Sequence, residues 1–179
     1  MNNYLEKRKC FVNADTPCKK CKVCSIVNGV GGAGSYSDSK LNFDISGRVG
    51  GDMYELMTEK EIASYLERTY KIYQQFGIEE FQSKVYGDNH SPKAEEILNS
   101  ISDNPNLDIV DCRTIHLGTD NSRIIYGRMV DFLRDNGVEI LASTEVNSIY
   151  KDKDDYIVNT SKGVYNFDKI VLAMGRSGN

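Results

Sequence analysis

The sequence predicts a mixed α/β chain, and three features lead there. Two long segments, 58–77 and 122–137, repeat apolar residues at helical spacing and each closes on a glycine. The C-terminal third changes to alternation broken by short charged turns, the pattern of an antiparallel β-meander. The apolar run at 169–173, KIVLA, then reads as a strand buried on both faces. Helices and strands sharing one chain in this way make an α/β unit.

Along the chain, residues 1–51 carry little periodic apolar pattern. Seven of the fifteen glycines fall between Asn28 and Gly51, which predicts loop with short extended pieces. Thr58-Glu59-Lys60-Glu61 is a capping box: the Thr58 hydroxyl accepts from the Glu61 N–H while the Glu61 side chain reaches back. The helix it opens places Ile62, Tyr65, Leu66, Thr69, Ile72, Tyr73 and Phe76 on one face, core positions first, and stops at Gly77. Ser91-Pro92 supplies an N-cap and a first-turn proline for a shorter helix with Ile97, Leu98 and Ile101 inward, ended before Asn104-Pro105. Residues 107–117, with Ile109, Val110 and Ile115, are strand in part. A helix over 122–136 turns Ile125, Met129, Phe132 and Leu133 inward and gives way at Gly137 to a strand at 138–141. The meander follows at 145–150, 156–160 and 164–167. The organisation is therefore a cysteine cluster and glycine-rich loop over 1–51, then a helical and α/β part over 52–179.

The bulk numbers exclude several function classes. A chain of 179 residues can bury roughly 70% of its unfolded surface, enough for a true core. With 27% charged residues and a net charge of −4, its basic groups at 7–9 and at Lys19, Lys20 and Lys22 are too small for a nucleic-acid surface. No apolar run nears the roughly 20 residues of a membrane span, and MNNYLEKRKC has no apolar signal core. The expected location is cytoplasmic.

Four of the five cysteines crowd together as C-x7-C-x2-C-x2-C at Cys10, Cys18, Cys21 and Cys24. Repeated C-x-x-C lets two thiolates turn toward one ion while backbone N–H groups stabilise their charge, so four complete a zinc site or hold an iron-sulfur cluster. The same thiols also suit a reactive dithiol pair, or remain unligated. Cys112 falls in a strand pattern and reads as a small core residue. His90, in the polar loop GDNHSP, is a solvated turn residue; His116 is either a strand-end histidine with one local hydrogen bond or a proton-transfer group.

Gly29-Val30-Gly31-Gly32-Ala33-Gly34 literally matches G-x-G-x-x-G. A pyrophosphate turn must leave a strand and enter a helix, whereas this loop follows the cysteines and runs into Ser35-Tyr36-Ser37-Asp38-Ser39. The remaining readings are a surface loop, or close approach of bare backbone to a flat ligand.

The string GGAGSYSDSKL resembles the GGAG-x-x-SDGKL segment of bacterial FAD-dependent dehydrogenases, distant relatives of the glutathione-reductase-like flavoproteins. Arg113-Thr114-Ile115-His116-Leu117-Gly118-Thr119-Asp120 resembles that family's H-I-G-T-D segment, and LAMGRSG resembles its closing motif, in the same order. The resemblance implies a partial Rossmann-like FAD/NAD(P)-binding domain with an antiparallel β-meander and a helical insertion. It implies an oxidoreductase that moves hydride or electrons between a small-molecule substrate and FAD, with NAD(P)H as a further partner. Carried over, Gly31, Gly32, Ala33, Gly34, Ser37 and Asp38 lie along the flavin with Lys40 close by. His116 is the catalytic candidate, with Gly118, Thr119 and Asp120 shaping the substrate side. Glu145 and Val146 offer backbone groups to the adenine, and Ala173, Met174 and Gly175 form the closing segment.

Ser39 stands where that family usually has glycine; if the position needs positive φ, serine costs about 1 kcal/mol. The family's opening strand, phosphate turn and helix have no counterpart in this sequence. The expectation is an internal fragment that by itself binds FAD weakly or not at all.

Overall fold

The computed structural model describes residues 10, 12, 15–36, 39–43, 45, 51–81, 85–86, 91–107 and 114–175. The chain divides into two compact units, Gly34–Met129 and Met1–Ala33 with Val130–Asn179.

In Gly34–Met129, three short antiparallel strands form one sheet: β1 (Lys40–Asn42), β2 (Val85–Tyr86) and β3 (Thr114–His116), with β3 central. The register pairs Lys40 with His116, Leu41 with Ile115 and Asn42 with Thr114. The Thr114 hydroxyl reinforces it by donating to Asn42 Oδ1 at 2.6 Å. Among the described residues four α-helices accompany the sheet: α1 (Met53–Leu56), α2 (Glu59–Gln75), α3 (Pro92–Ile101) and α4 (Thr119–Asp135), the last belonging to this unit through Met129.

Helix α2 begins at the predicted capping box. The Glu61 N–H donates to Thr58 Oγ1 at 3.3 Å and the Thr58 N–H to Glu61 Oε2 at 2.9 Å, satisfying two of the donors a helix start leaves open. It ends at Gly77, whose φ of 85° is the left-handed stop. Helix α3 is capped by Ser91, which accepts from the Ala94 N–H at 3.2 Å. The core gathers Ile78, Leu117 and Ile125. Phe43, just beyond β1, packs at 5.1 Å from the Tyr70 ring and 5.5 Å from the Tyr73 ring, which ties α2 to the sheet.

That packing leaves part of each predicted apolar face uncovered. Tyr65 is 49% exposed and Ile72 50%, so Tyr65 is not a core residue; the covered line on α2 runs through Tyr70, Tyr73 and Phe76. Ile97, Phe132 and Leu133 are exposed as well.

In the second unit, β4 (Val146–Asp152), β5 (Asp155–Thr160) and β6 (Gly163–Phe167) form the predicted antiparallel meander, in the order β4-β5-β6. β5 contributes Val158, buried, while β4 is exposed along its whole length. Two predicted strands are corrected. Residues 138–141 are irregular, because the Val138 N–H is already given to Leu133 O at 2.9 Å in the motif that ends α4 at Gly137. Residues 169–173 form no strand, and Val171 and Leu172 are exposed. A strand buried on both faces needs ladder partners, and none of the described strands pairs with this run.

The mixed helix-and-sheet class stands. Among the described residues both sheets are antiparallel throughout, so the parallel pairing of a Rossmann-like sheet is not among them. No described helix is long and apolar enough to cross a membrane.

Candidate functional site

Two of the three segments that carry the family resemblance lie side by side. The β1–β3 ladder places Lys40, at the end of GGAGSYSDSKL, opposite His116 of the second segment. The Leu117 N–H extends the contact by donating to Ser39 O at 3.2 Å. His116 is half-buried at the end of β3, Lys40 is exposed, and Gly118 turns the chain with φ 78° into α4. There the Ser122 N–H donates to Gly118 O at 3.1 Å, and the buried Ser122 hydroxyl to Thr119 O at 2.9 Å.

Ser39 occupies the left-handed region at φ 47° and is 3% exposed. This is the conformation for which glycine is the default, so the serine carries the strain anticipated for it. Its hydroxyl compensates by donating to Gly34 O, closing the loop between the glycines and β1.

The glycines differ in what surrounds them. Gly31 and Gly32 have φ of 79° and 58°, and the Gly32 N–H donates to Gly29 O at 2.9 Å in a tight turn. A Cβ at Gly32 would meet nothing within 4 Å, so this backbone faces open space. At Gly34 a Cβ would lie 3.2 Å from the Tyr126 hydroxyl, so that close approach is made by the protein itself. The loop then enters a four-residue 3-10 turn, Ala33–Tyr36, and the next described residues, from Ser39, lead into β1, so among the described residues no α-helix follows directly to cradle phosphate.

Sequence reasoning missed two residues around this loop, Arg123 and Tyr126. Tyr126, on α4, meets Tyr73 of α2 hydroxyl to hydroxyl at 3.2 Å. Burial, and then the bond to Tyr126, pushes the Tyr73 phenol well above its ordinary value, so it stays neutral. Arg123 lies 4.5 Å from the centre of the Tyr36 ring, a cation–π contact holding the loop to α4. The one available signal was that Arg123 and Tyr126 stand three apart on a helix, on a common face.

Of the other predicted residues, Ser37 and Asp38 lie outside the described residues, as do His90 and Cys112. Glu145 has both backbone groups engaged: its N–H donates to Ser161 Oγ at 3.0 Å and its O accepts from the Ser161 N–H at 2.8 Å. Val146 pairs with Thr160 and is exposed. Ala173, Met174 and Gly175 are exposed and outside any strand, with Gly175 at φ 61°. An open depression of about 510 Å3 near α1 is lined by Tyr54, Leu56, Met57 and Glu61, and holds none of the predicted residues.

Cys10, Cys18 and Cys21 are exposed and Cys24 is partly buried; none is in a disulfide. Among the described residues no three His, Cys, Asp or Glu side chains are gathered as a metal would require. The Lys20 N–H donates to Cys18 Sγ at 3.4 Å. No protein-family model, curated protein or solved structure matches this chain.

Proposed function

We propose that this chain is the flavin-facing part of an FAD-dependent oxidoreductase, a dehydrogenase that passes hydride or electrons through FAD. Its finer architecture, a partial Rossmann-like FAD/NAD(P)-binding domain, belongs to the same proposal. The observation that carries it is the Lys40–His116 pairing. Two segments far apart in sequence, both resembling one flavoprotein family, are adjacent strands.

Taken segment by segment, the residue types suit a flat ligand. Gly31 and Gly32 present backbone without side chains, and the space beside Gly32 is open. Ser39 fixes the path from the loop to β1, Lys40 offers an exposed cation, and His116 offers a group that can donate or accept a proton. When bound, the flavin supplies the two-electron chemistry; the protein supplies orientation and hydrogen bonds.

The test is a fluorescence titration of lumiflavin, the bare ring system, with this protein and with Gly32→Val. The proposal predicts saturable quenching that the valine abolishes by filling the open face. No quenching, or equal quenching by both proteins, would contradict it. FAD retained at unit stoichiometry after desalting would overturn the expectation that this chain holds the whole cofactor weakly.

A further inference from the structure

We infer that one face of the β4–β6 meander is a platform for a nucleoside monophosphate, its base stacked on Tyr165 and Phe167 and its phosphate held by Lys151. The inference does not rest on the flavin assignment. The register sets three residues in line across the sheet, since Lys151 pairs with Tyr156 and Tyr156 with Phe167. A second row, Ile149–Val158–Tyr165, lies on the same face, because residues two apart on a strand share a side and paired residues do too. Three aromatic rings and one ammonium thus share one side of a small sheet.

The rings suit stacking. Those of Tyr165 and Phe167 lie 6.3 Å apart, centre to centre, and within 17° of parallel. Phe167 is 46% exposed, so a planar guest can reach it from solvent. Lys151 Nζ lies 6.0 Å from the centre of the Tyr156 ring, which draws the charge toward the middle of the row. Among the described residues no carboxylate pairs with that ammonium.

Span and charge select the ligand. Neighbouring strands are about 4.8 Å apart, so Lys151 and Phe167 are separated by about 10 Å at the backbone, with Tyr156 between them. A base joined to its phosphate through a sugar covers such a span better than a ring that bears its charge directly. The adjoining turn sets Asp152, Asp154 and Asp155 against Lys153, which disfavours a nucleic-acid strand or a polyphosphate tail. Neither a stacked base nor one phosphate contact by itself offsets the freedom lost on association, so both parts are needed.

The experiment titrates the whole chain with adenosine monophosphate, adenosine and inorganic phosphate, following side-chain NMR signals. The monophosphate should shift the rings of Tyr156, Tyr165 and Phe167 and the Lys151 side chain on one saturation curve, leaving Tyr150 and Val164 of the opposite face in place. Adenosine and phosphate alone should give no saturation. Lys151→Gln and Phe167→Leu should each weaken binding about tenfold or more, while Lys153→Gln, the same charge change at the turn, leaves it unaltered. Circular dichroism tests the folding of the variants, and the wild-type shifts are readable without any of them. No saturable shift with the monophosphate, equal binding of adenosine, or shifts centred on Tyr150 and Val164 would overturn the proposal. So would tighter binding of a single-stranded oligoadenylate, since that assigns the face to a nucleic-acid strand.

Discussion

The hydroxyl of Tyr126 stands 3.2 Å from the point where a Cβ on Gly34 would lie. The same oxygen meets the Tyr73 hydroxyl at 3.2 Å, and the Gly34 carbonyl accepts from Ser39. Gly34 is thereby tied to α2, to α4 and to the entry of β1. Gly34→Ala should destabilise the protein by about 1 kcal/mol through overpacking. In a Tyr126→Phe background, where the opposing oxygen is gone, the alanine should cost less. Urea denaturation of the four proteins measures this coupling. An equal penalty in both backgrounds would show that the hydroxyl does not set the constraint.

Ser39 makes a sharper test, because strain and hydrogen bonding act in opposite directions there. Ser39→Gly relieves the φ of 47° but removes the bond to Gly34 O, each effect about 1 kcal/mol, so stability should change little. Ser39→Ala keeps the strain and loses the bond, and should cost about 1–2 kcal/mol. Thermal unfolding separates the two. A glycine variant as damaged as the alanine one would show that the left-handed strain is not relieved.

The capping box predicts a pH dependence. The side chain and backbone of Thr58 donate to Glu61 and hold its carboxyl below the ordinary carboxylate value. A carboxyl depressed in the folded state stabilises fully above its unfolded value and loses that contribution as pH falls through the folded one. Thr58→Ala should cost about 1 kcal/mol near neutrality. The gap between wild type and Glu61→Gln should be constant above about pH 5 and shrink in more acidic buffer. A gap that widens with acid would contradict the assignment.

Two helix stops with the same backbone geometry should differ in salt response. Gly77 and Gly137 have φ of 85° and 83°. At Gly137 a Cβ meets nothing within 4 Å, so alanine costs about 1 kcal/mol of backbone strain. At Gly77 it would enter the Arg128–Glu80 fork, whose bonds of 2.9 and 2.8 Å lower the Glu80 carboxyl and raise the Arg128 guanidinium. Gly77→Ala should be the more damaging, and the excess should diminish in high salt, which already screens an exposed pair.

Local signals carried much of the fold. Thr58 and Glu61, Ser91 and Pro92, Gly77 and Gly137 each act within a few residues, so spacing alone revealed them. The meander was legible for the same reason, since its strands are neighbours in sequence. What failed depended on distant partners. Whether 169–173 pairs, and whether Tyr65 and Ile72 are covered, is decided by elements elsewhere, and the apolar run carries no information about them. At the site, the glycine-rich loop and His116 stood out, but Tyr126 did not. Its meeting with Gly34 arises from packing α4 beside the loop, which no spacing within α4 encodes.

The pairing of Lys40 with His116 is the centre of the functional account, and amide shift mapping with lumiflavin tests it most directly. If these strands and the residues that lead into them face a flavin ring, the backbone amides of Gly34, Ser39, Lys40 and His116 should move together on one saturation curve, while those of β4–β6 stay in place. Shifts absent at the solubility limit of the ring, or confined to residues remote from this ladder, would contradict the flavin-facing assignment.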